Sequence, residues 1–169
     1  MVVRNPGFRC ASSRLRLLVS QVDALRDAVR KVRTARPFHI DAWVVLPDHL
    51  HAVWTLPLED SDYSARWKAI KIAFAKILPK TEFLSAVRAA RGERGIWQRR
   101  FWEHTFRDER DYAAHVDYVH INPVKHGLAA CVSDWPYSSF HGFVARGIYS
   151  ADWAGGGEMD ELVAGERGG

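Results

Sequence analysis

Phe38-His-Ile-Asp-Ala-Trp-Val-Val-Leu-Pro-Asp-His-Leu-His-Ala-Val-Trp-Thr-Leu56 decides the architecture of this chain. Residues 38–46 are rich in β-branched and aromatic side chains, the types that suit a pleated, half-buried surface, and they predict a strand. Pro47-Asp48 is a turn signal and residues 49–56 predict the return strand, so the stretch reads as a β-hairpin. Upstream, Leu18, Val22, Leu25, Val29 and Val32 recur at steps of three and four. That period predicts an amphipathic helix over 15–33 with its arginines outward, broken at Pro37. Downstream, residues 57–62 are an acidic loop. Residues 64–78 carry Trp67, Ile70, Ile72, Phe74 and Ile77 and predict a helix that ends at Pro79. Residues 81–95 are a basic connector without a clear period. Residues 97–106 alternate rings and charges and predict a strand. Residues 108–121 predict a helix, with an acidic start and with Tyr112, Val116 and Val119 on one apolar face. Asn122-Pro123 should end it, because a residue before proline avoids the helical region. With one more strand at the extreme N-terminus, the order gives an α+β fold: an antiparallel sheet covered by helices.

The chain has 169 residues, the length of one domain with a real core. Its formal net charge is +4, but residues 152–169 hold five acids against Arg167, so the first 151 residues carry +8. A body this basic favours a polyanion, usually nucleic acid, although a solvated basic surface has the same composition. Cys10 and Cys131 suit neither a disulfide framework nor a thiolate metal cluster, and a cytoplasmic location is expected. No apolar run approaches the ~20 residues of a membrane span, and the start, Met1-Val-Val-Arg-Asn-Pro, lacks the apolar core of a secretory signal. The expected organisation is one domain over 1–153 and a Gly-rich, acidic, disordered tail over 154–169.

Two features carry chemistry. On a strand, His49 and His51 face one side while Leu50 and Ala52 face the other. Two imidazoles one pleat apart can hold one metal ion if a third ligand joins them; two surface histidines, or one satisfied in the core, have the same spacing. On the last helix, Asp111, His115, Tyr118 and Asn122 fall on one stripe beside the apolar face. Tyr118 then presents its hydroxyl across a groove, one turn from the Asn122 amide. Imidazole nitrogens with an amide oxygen suit Mg²⁺ or Mn²⁺ bridging a phosphate. In the competing arrangement Tyr118 packs on the sheet and Asn122 caps the helix. A tyrosine is a poor nucleophile near its reference pKa of ~10, and a divalent ion beside the phosphate makes its attack feasible.

Four separated motifs carry a family resemblance: Pro47-Asp-His-Leu-His51, Ile96-Trp-Gln-Arg-Arg-Phe-Trp-Glu-His104, Tyr118-Val-His-Ile-Asn-Pro-Val-Lys-His-Gly-Leu128 and Asp134-Trp-Pro-Tyr-Ser-Ser-Phe140. In this order they resemble the REP-associated tyrosine transposases, which belong to the single-tyrosine HUH transposases acting on single-stranded DNA. The resemblance runs from about residue 17 to about residue 153. It implies a ferredoxin-like α+β fold, recognition of single-stranded DNA with palindromic hairpins, and cleavage and rejoining through a 5′-phosphotyrosine. By position, His49 and His51 match the metal ligands, Tyr118 the nucleophile and Asn122 the third ligand. The family opens with a clear strand, where this chain has Asn5-Pro-Gly-Phe-Arg-Cys-Ala-Ser-Ser13. A first strand that is short or missing is therefore expected.

Outside the chemistry, Trp97, Arg99, Arg100, Phe101, Trp102, His104 and Arg107 interleave rings and charge, as in strips that stack unpaired bases and hold phosphates. A half-buried strand has the same alternation. Arg88, Arg91 and Arg94 in the basic connector, with Lys125, complete the expected DNA contacts. No protein partner is implied, and the chain is expected to be a monomer or homodimer. A rival reading, prompted by the short first strand, is a catalytically inactive relic that still binds hairpin DNA. Another is a metal-dependent nuclease or nickase.

Overall fold

The computed structural model describes residues 2–5, 16–80, 90, 94–97 and 102–155. In chain order the elements are strand β1 (Val2–Asn5), helices α1 (Leu17–Ser20) and α2 (Val22–Ala35), and strands β2 (His39–Val45) and β3 (Leu50–Thr55). Helix α3 (Tyr63–Ile77), strand β4 (Trp102–His104), helix α4 (Glu109–Lys125), a 3₁₀ turn (Val132–Asp134) and helix α5 (Phe140–Ala145) follow. The sheet order is β2-β3-β1-β4 with every pair antiparallel. That is the ferredoxin-like order, as the resemblance implied.

The expected hairpin forms with Val45 opposite Leu50 and Val44 opposite His51, and an irregularity lies between Ile40 and Ala42. The first strand is short but not missing. It lies upstream of its expected place, on the β-branched pair Val2-Val3, with Val3 opposite Ala52 on one side and Glu103 on the other. Four residues suffice because a central strand is held by backbone partners on both edges. Residues 6–15 lie outside the described residues.

Helices cover both faces of the sheet, which is why Leu50 to Trp54 is buried without a break. Leu50, Ala52 and Trp54 pack with Leu25, Val29 and Val32 of α2 and Trp67, Ile70 and Phe74 of α3. Ala42, Val44 and Val53 point the other way, onto Val116 and Val119 of α4. Asp62 caps α3 by accepting the Ala65 N–H at 2.9 Å. Arg66 ties the same end down: its buried guanidinium bonds both Asp60 carboxylate oxygens and the Asp62 and Pro37 carbonyls.

Three expectations about element limits need correction. The first helix is divided at Gln21, so α1 and α2 replace one run. Within 97–106 only Trp102–His104 is strand among the described residues. Trp97 lies in a bend, and its indole N–H donates to the Lys71 carbonyl at 3.1 Å while its ring packs on Phe74. The last helix does not stop at Asn122-Pro123. Pro123 lies inside α4, which runs to Lys125. A proline this close to the end leaves only the Val119 carbonyl without its helical donor. The true stop is Gly127 at φ +65°, in the left-handed region. The Gly127 N–H donates to the Val124 carbonyl at 2.9 Å and the Leu128 N–H to the Pro123 carbonyl at 2.8 Å, a Schellman closure. The extra turn brings Lys125 and His126 alongside the hairpin.

Candidate active site

His49 sits just before β3 and His51 within it. Their rings are 5.0 Å apart and edge-on, as the strand alternation predicts. The Asp48 carboxylate lies 2.7 Å from His49 Nδ1. That hydrogen bond, opposed by burial, holds the Asp48 carboxyl below its ordinary value. An Nδ1–H donated to a carboxylate leaves the lone pair on Nε2. His49 Nε2 is buried and has no hydrogen-bond partner among the described residues. His51 is fully buried and meets the Tyr118 ring edge-on at 5.7 Å.

Asn122 is also buried. Its amide N–H donates to the Tyr118 carbonyl one turn back at 2.9 Å, and its Oδ1 has no hydrogen-bond partner among the described residues. An orphaned amide oxygen and an orphaned imidazole nitrogen, both buried, are costly unless something meets them. Two imidazoles and an amide oxygen fit a divalent cation.

His126 joins this cluster. Its ring is 5.0 Å from His49, and one nitrogen from each of His49, His51 and His126 lies within 4.8 Å of the others. Sequence reasoning missed it because the proline appeared to end the helix one turn too early. The available signal was its place four residues after Asn122, which is one helical turn.

Tyr118 is only 6% exposed. The stripe Asp111, His115, Tyr118 and Asn122 is therefore buried rather than open to a groove. The Lys125 ammonium sits 4.7 Å from the centre of the Tyr118 ring.

One to two turns before Tyr118, at Asp111 and His115, α4 is clamped to β4. Asp111 Oδ2 lies 2.7 Å from His104 Nε2 and accepts the Arg107 N–H at 3.0 Å, and Asp111 Oδ1 lies 3.0 Å from His115 Nδ1. The two imidazoles stack at 4.6 Å. Burial opposes ionisation of Asp111, but the Arg107 N–H and the His104 ring outweigh it and hold the carboxyl at about 2, against 3.8. This trio has the composition of a metal site. However, His115 Nδ1 also lies 2.8 Å from the Asp111 carbonyl, which accepts only, so the nitrogen must carry a hydrogen. The trio is a hydrogen-bonded clamp.

Tyr137 to Ser139 lies along the outer edge of β2, with the Val45 N–H donating to the Tyr137 carbonyl at 2.9 Å and the Ser139 N–H to the Trp43 carbonyl at 2.8 Å. It covers an otherwise open sheet edge. Ser139 Oγ is also 2.9 Å from Nε2 of the fully buried His120.

The expected DNA contacts divide. The Arg107 side chain is 81% exposed and only loosely tied to Asp111. Lys125 is exposed beside Tyr118. Arg94 instead caps the end of α3, donating to the Leu78 carbonyl at 2.9 Å, the Pro79 carbonyl at 2.6 Å and the Ala75 carbonyl. Arg88, Arg91, Arg99, Arg100 and the Trp102 side chain lie outside the described residues, as does the tail from 156 onward. No helix among the described residues is long and apolar enough to cross a membrane.

No family model matches the chain. It is 51% identical over 154 residues to the REP-associated tyrosine transposase of Escherichia coli strain K12, covering 91% of this chain and 84% of that one. It is 43% identical over 150 residues to a protein of Haemophilus influenzae named as a REP-associated tyrosine transposase, covering 88% and 84%. A solved structure of a REP-associated tyrosine transposase bound to a REP hairpin superposes with a TM-score of 0.73 at 48% identity, covering 92% of this chain and 83% of that one. Identity at this level over nearly the whole chain, on the fold just described, makes this protein a member of the REP-associated tyrosine transposase family.

Proposed function

We propose that this protein cleaves and rejoins single-stranded DNA beside palindromic hairpins, with Tyr118 as nucleophile. The observation that carries the reading is the convergence of His49, His51 and His126 beside a buried tyrosine whose ring meets His51 edge-on. The relative seen with a REP hairpin supports hairpin DNA as the partner. In cleavage, the Tyr118 Oη–phosphorus bond forms and the phosphorus–O3′ bond breaks. The phenol proton is lost and the departing 3′ oxygen takes up a proton, leaving a 3′-hydroxyl and a 5′-phosphotyrosyl diester. The diester conserves bond energy, so attack by another 3′-hydroxyl reverses the step without ATP.

His49, His51 and Asn122 would hold Mg²⁺ or Mn²⁺, with His126 closing the site. When bound, the ion supplies charge stabilisation at the scissile phosphate. Asp48 fixes the His49 tautomer. Arg107 and Lys125, both exposed, would meet phosphates, and Arg88, Arg91, Arg99, Arg100 and Trp102 belong to the same proposed interface. The catalytic domain spans 1–153. The relic reading loses its motive, because the first strand it supposed missing occupies the centre of the sheet.

The test is a denaturing gel for a covalent protein–DNA adduct. Labelled single-stranded hairpins from the genomic flanks of the coding region are incubated with Mn²⁺ or Mg²⁺ and either the protein or its Tyr118→Phe variant. An adduct that Tyr118→Phe abolishes supports the reading. An adduct that persists assigns the nucleophile elsewhere. Hairpin binding with no adduct returns the relic, and cleavage without an adduct makes the protein a nuclease that uses water.

A further inference from the structure

We infer that Lys125 is a positioning residue for strand cleavage: its ammonium holds the Tyr118 ring in place, rather than serving only as a phosphate contact. The inference rests on Tyr118 being the nucleophile.

Lys125 is seven residues after Tyr118, two turns along the same helix face. It gets there only because α4 continues through Pro123. Its ammonium lies 4.7 Å from the ring centre, well inside the ~6 Å range of cation–π attraction. The edge-on His51 ring meets the same tyrosine from the sheet side. Tyr118 is thus held between a strand that supplies metal-ligand candidates and a charge from its own helix. The Asn122 side-chain amide, donating to the Tyr118 carbonyl, ties the first turn of this arrangement as well.

A side chain in this position has a specific task. Transesterification needs the phenol oxygen in line with the bond that breaks, and misplacement of the reacting atoms by an ångström costs large factors in rate. Tyrosine turns freely about only two side-chain bonds, so a contact on the ring face restrains much of that freedom. Lys125 is exposed and its loss opens no cavity, so the effect falls on orientation rather than on folding. A phosphate contact makes a different prediction: its loss weakens DNA binding and leaves the rate on bound DNA unchanged.

The experiment measures single-turnover cleavage of a labelled hairpin by the full chain at saturating DNA and saturating Mn²⁺. Hairpin affinity is measured in parallel. Lys125→Met keeps the length of the side chain and removes its charge. It should lower the rate constant roughly 2- to 5-fold, the span of a cation–π contact whose cation is exposed, with hairpin affinity unchanged. Lys125→Arg keeps a cation over the ring and should restore most of the rate. The ring is also read directly and without DNA, by the ¹⁹F signal of 3-fluorotyrosine, assigned to position 118 by its loss in Tyr118→Phe. Lys125→Met should shift or broaden that signal and Lys125→Arg should preserve it. The inference is overturned if Lys125→Met weakens hairpin binding while the rate on bound DNA and the fluorine signal stay as in the parent. An adduct that survives in Tyr118→Phe would instead sink the nucleophile assignment, and the fluorine signal would still report whether Lys125 holds the ring.

Discussion

Replacing Asp48 by Asn tests the metal site without touching any proposed ligand. The carboxylate lies 2.7 Å from His49 Nδ1, and the His49 side chain is 10% exposed while that of Asp48 is 36% exposed. Asn keeps the shape and a neutral acceptor but loses the charge. Hydrogen bonds to charged groups are worth about 1.5–3 kcal/mol, and loss of a carboxylate behind a ligating histidine costs 10- to 100-fold in metal affinity. Because water reaches Asp48 from its open side, the lower part of that range applies, about 1–2 kcal/mol. At about 1.4 kcal/mol per tenfold, this is a 5- to 30-fold rise in the Mn²⁺ concentration that half-activates cleavage. Mn²⁺ is titrated into a cleavage assay with hairpin DNA held saturating. The midpoint should rise by that factor, the rate at saturating Mn²⁺ should stay within about threefold of the parent, and hairpin affinity without metal should not change. An unchanged midpoint with a lower plateau would refute the reasoning, because Asp48 would then act on something other than the orientation of His49.

The clamp on α4 carries a pH dependence. Asp111 titrates at about 2 in the fold against 3.8 ordinarily, so its stabilisation is complete above about pH 5 and is lost as pH falls toward 2. The shift allows at most about 2.5 kcal/mol, and about 1–2 after allowance for water near the clamp. The stability gap between the protein and Asp111→Asn, from urea midpoints, should therefore be about half as large at pH 3 as at pH 7; a gap independent of pH would remove the carboxylate from the account. Arg66→Met should cost about 2–4 kcal/mol, less than a fully buried pair because Asp60 is a third exposed, with two carbonyls losing a donor. A loss below about 0.5 kcal/mol would show that water replaces the guanidinium. Gly127→Ala should cost about 1–2 kcal/mol, or roughly 2–8 °C in melting temperature. A Cβ there meets nothing within 4 Å among the described residues, so the cost is backbone strain alone, and an unchanged melting temperature would mean that the turn relaxes.

The sequence by itself determined the elements with strong local periods and the residues whose spacing is fixed by backbone geometry. The hairpin over 38–56, the face shared by His49 and His51, and the apolar row Val116 and Val119 follow from periods of 2 and 3.6 and do not depend on distant contacts. Tyr118 and Asn122 stand one turn apart for the same reason. What only the tertiary structure decided depends on residues far apart in the chain. Asn122-Pro123 reads locally as a stop, yet one lost hydrogen bond near a helix end is small beside the Schellman closure at Gly127 and the burial of Ile121, Asn122 and Pro123. That override places His126 beside His49 and Lys125 over Tyr118; their spacing from Asn122 and Tyr118 is helical, but only a helix that continues through the proline gives effect to that spacing. Val2-Val3 is too short to read as a strand, and becomes one because β3 and β4 offer backbone partners on both edges. Arg94 and Trp97 carry a DNA-binder's composition, but the bare carbonyls at the end of α3 and the ring of Phe74 claim them first. Composition states what a side chain can bind, and packing decides which partner lies within reach.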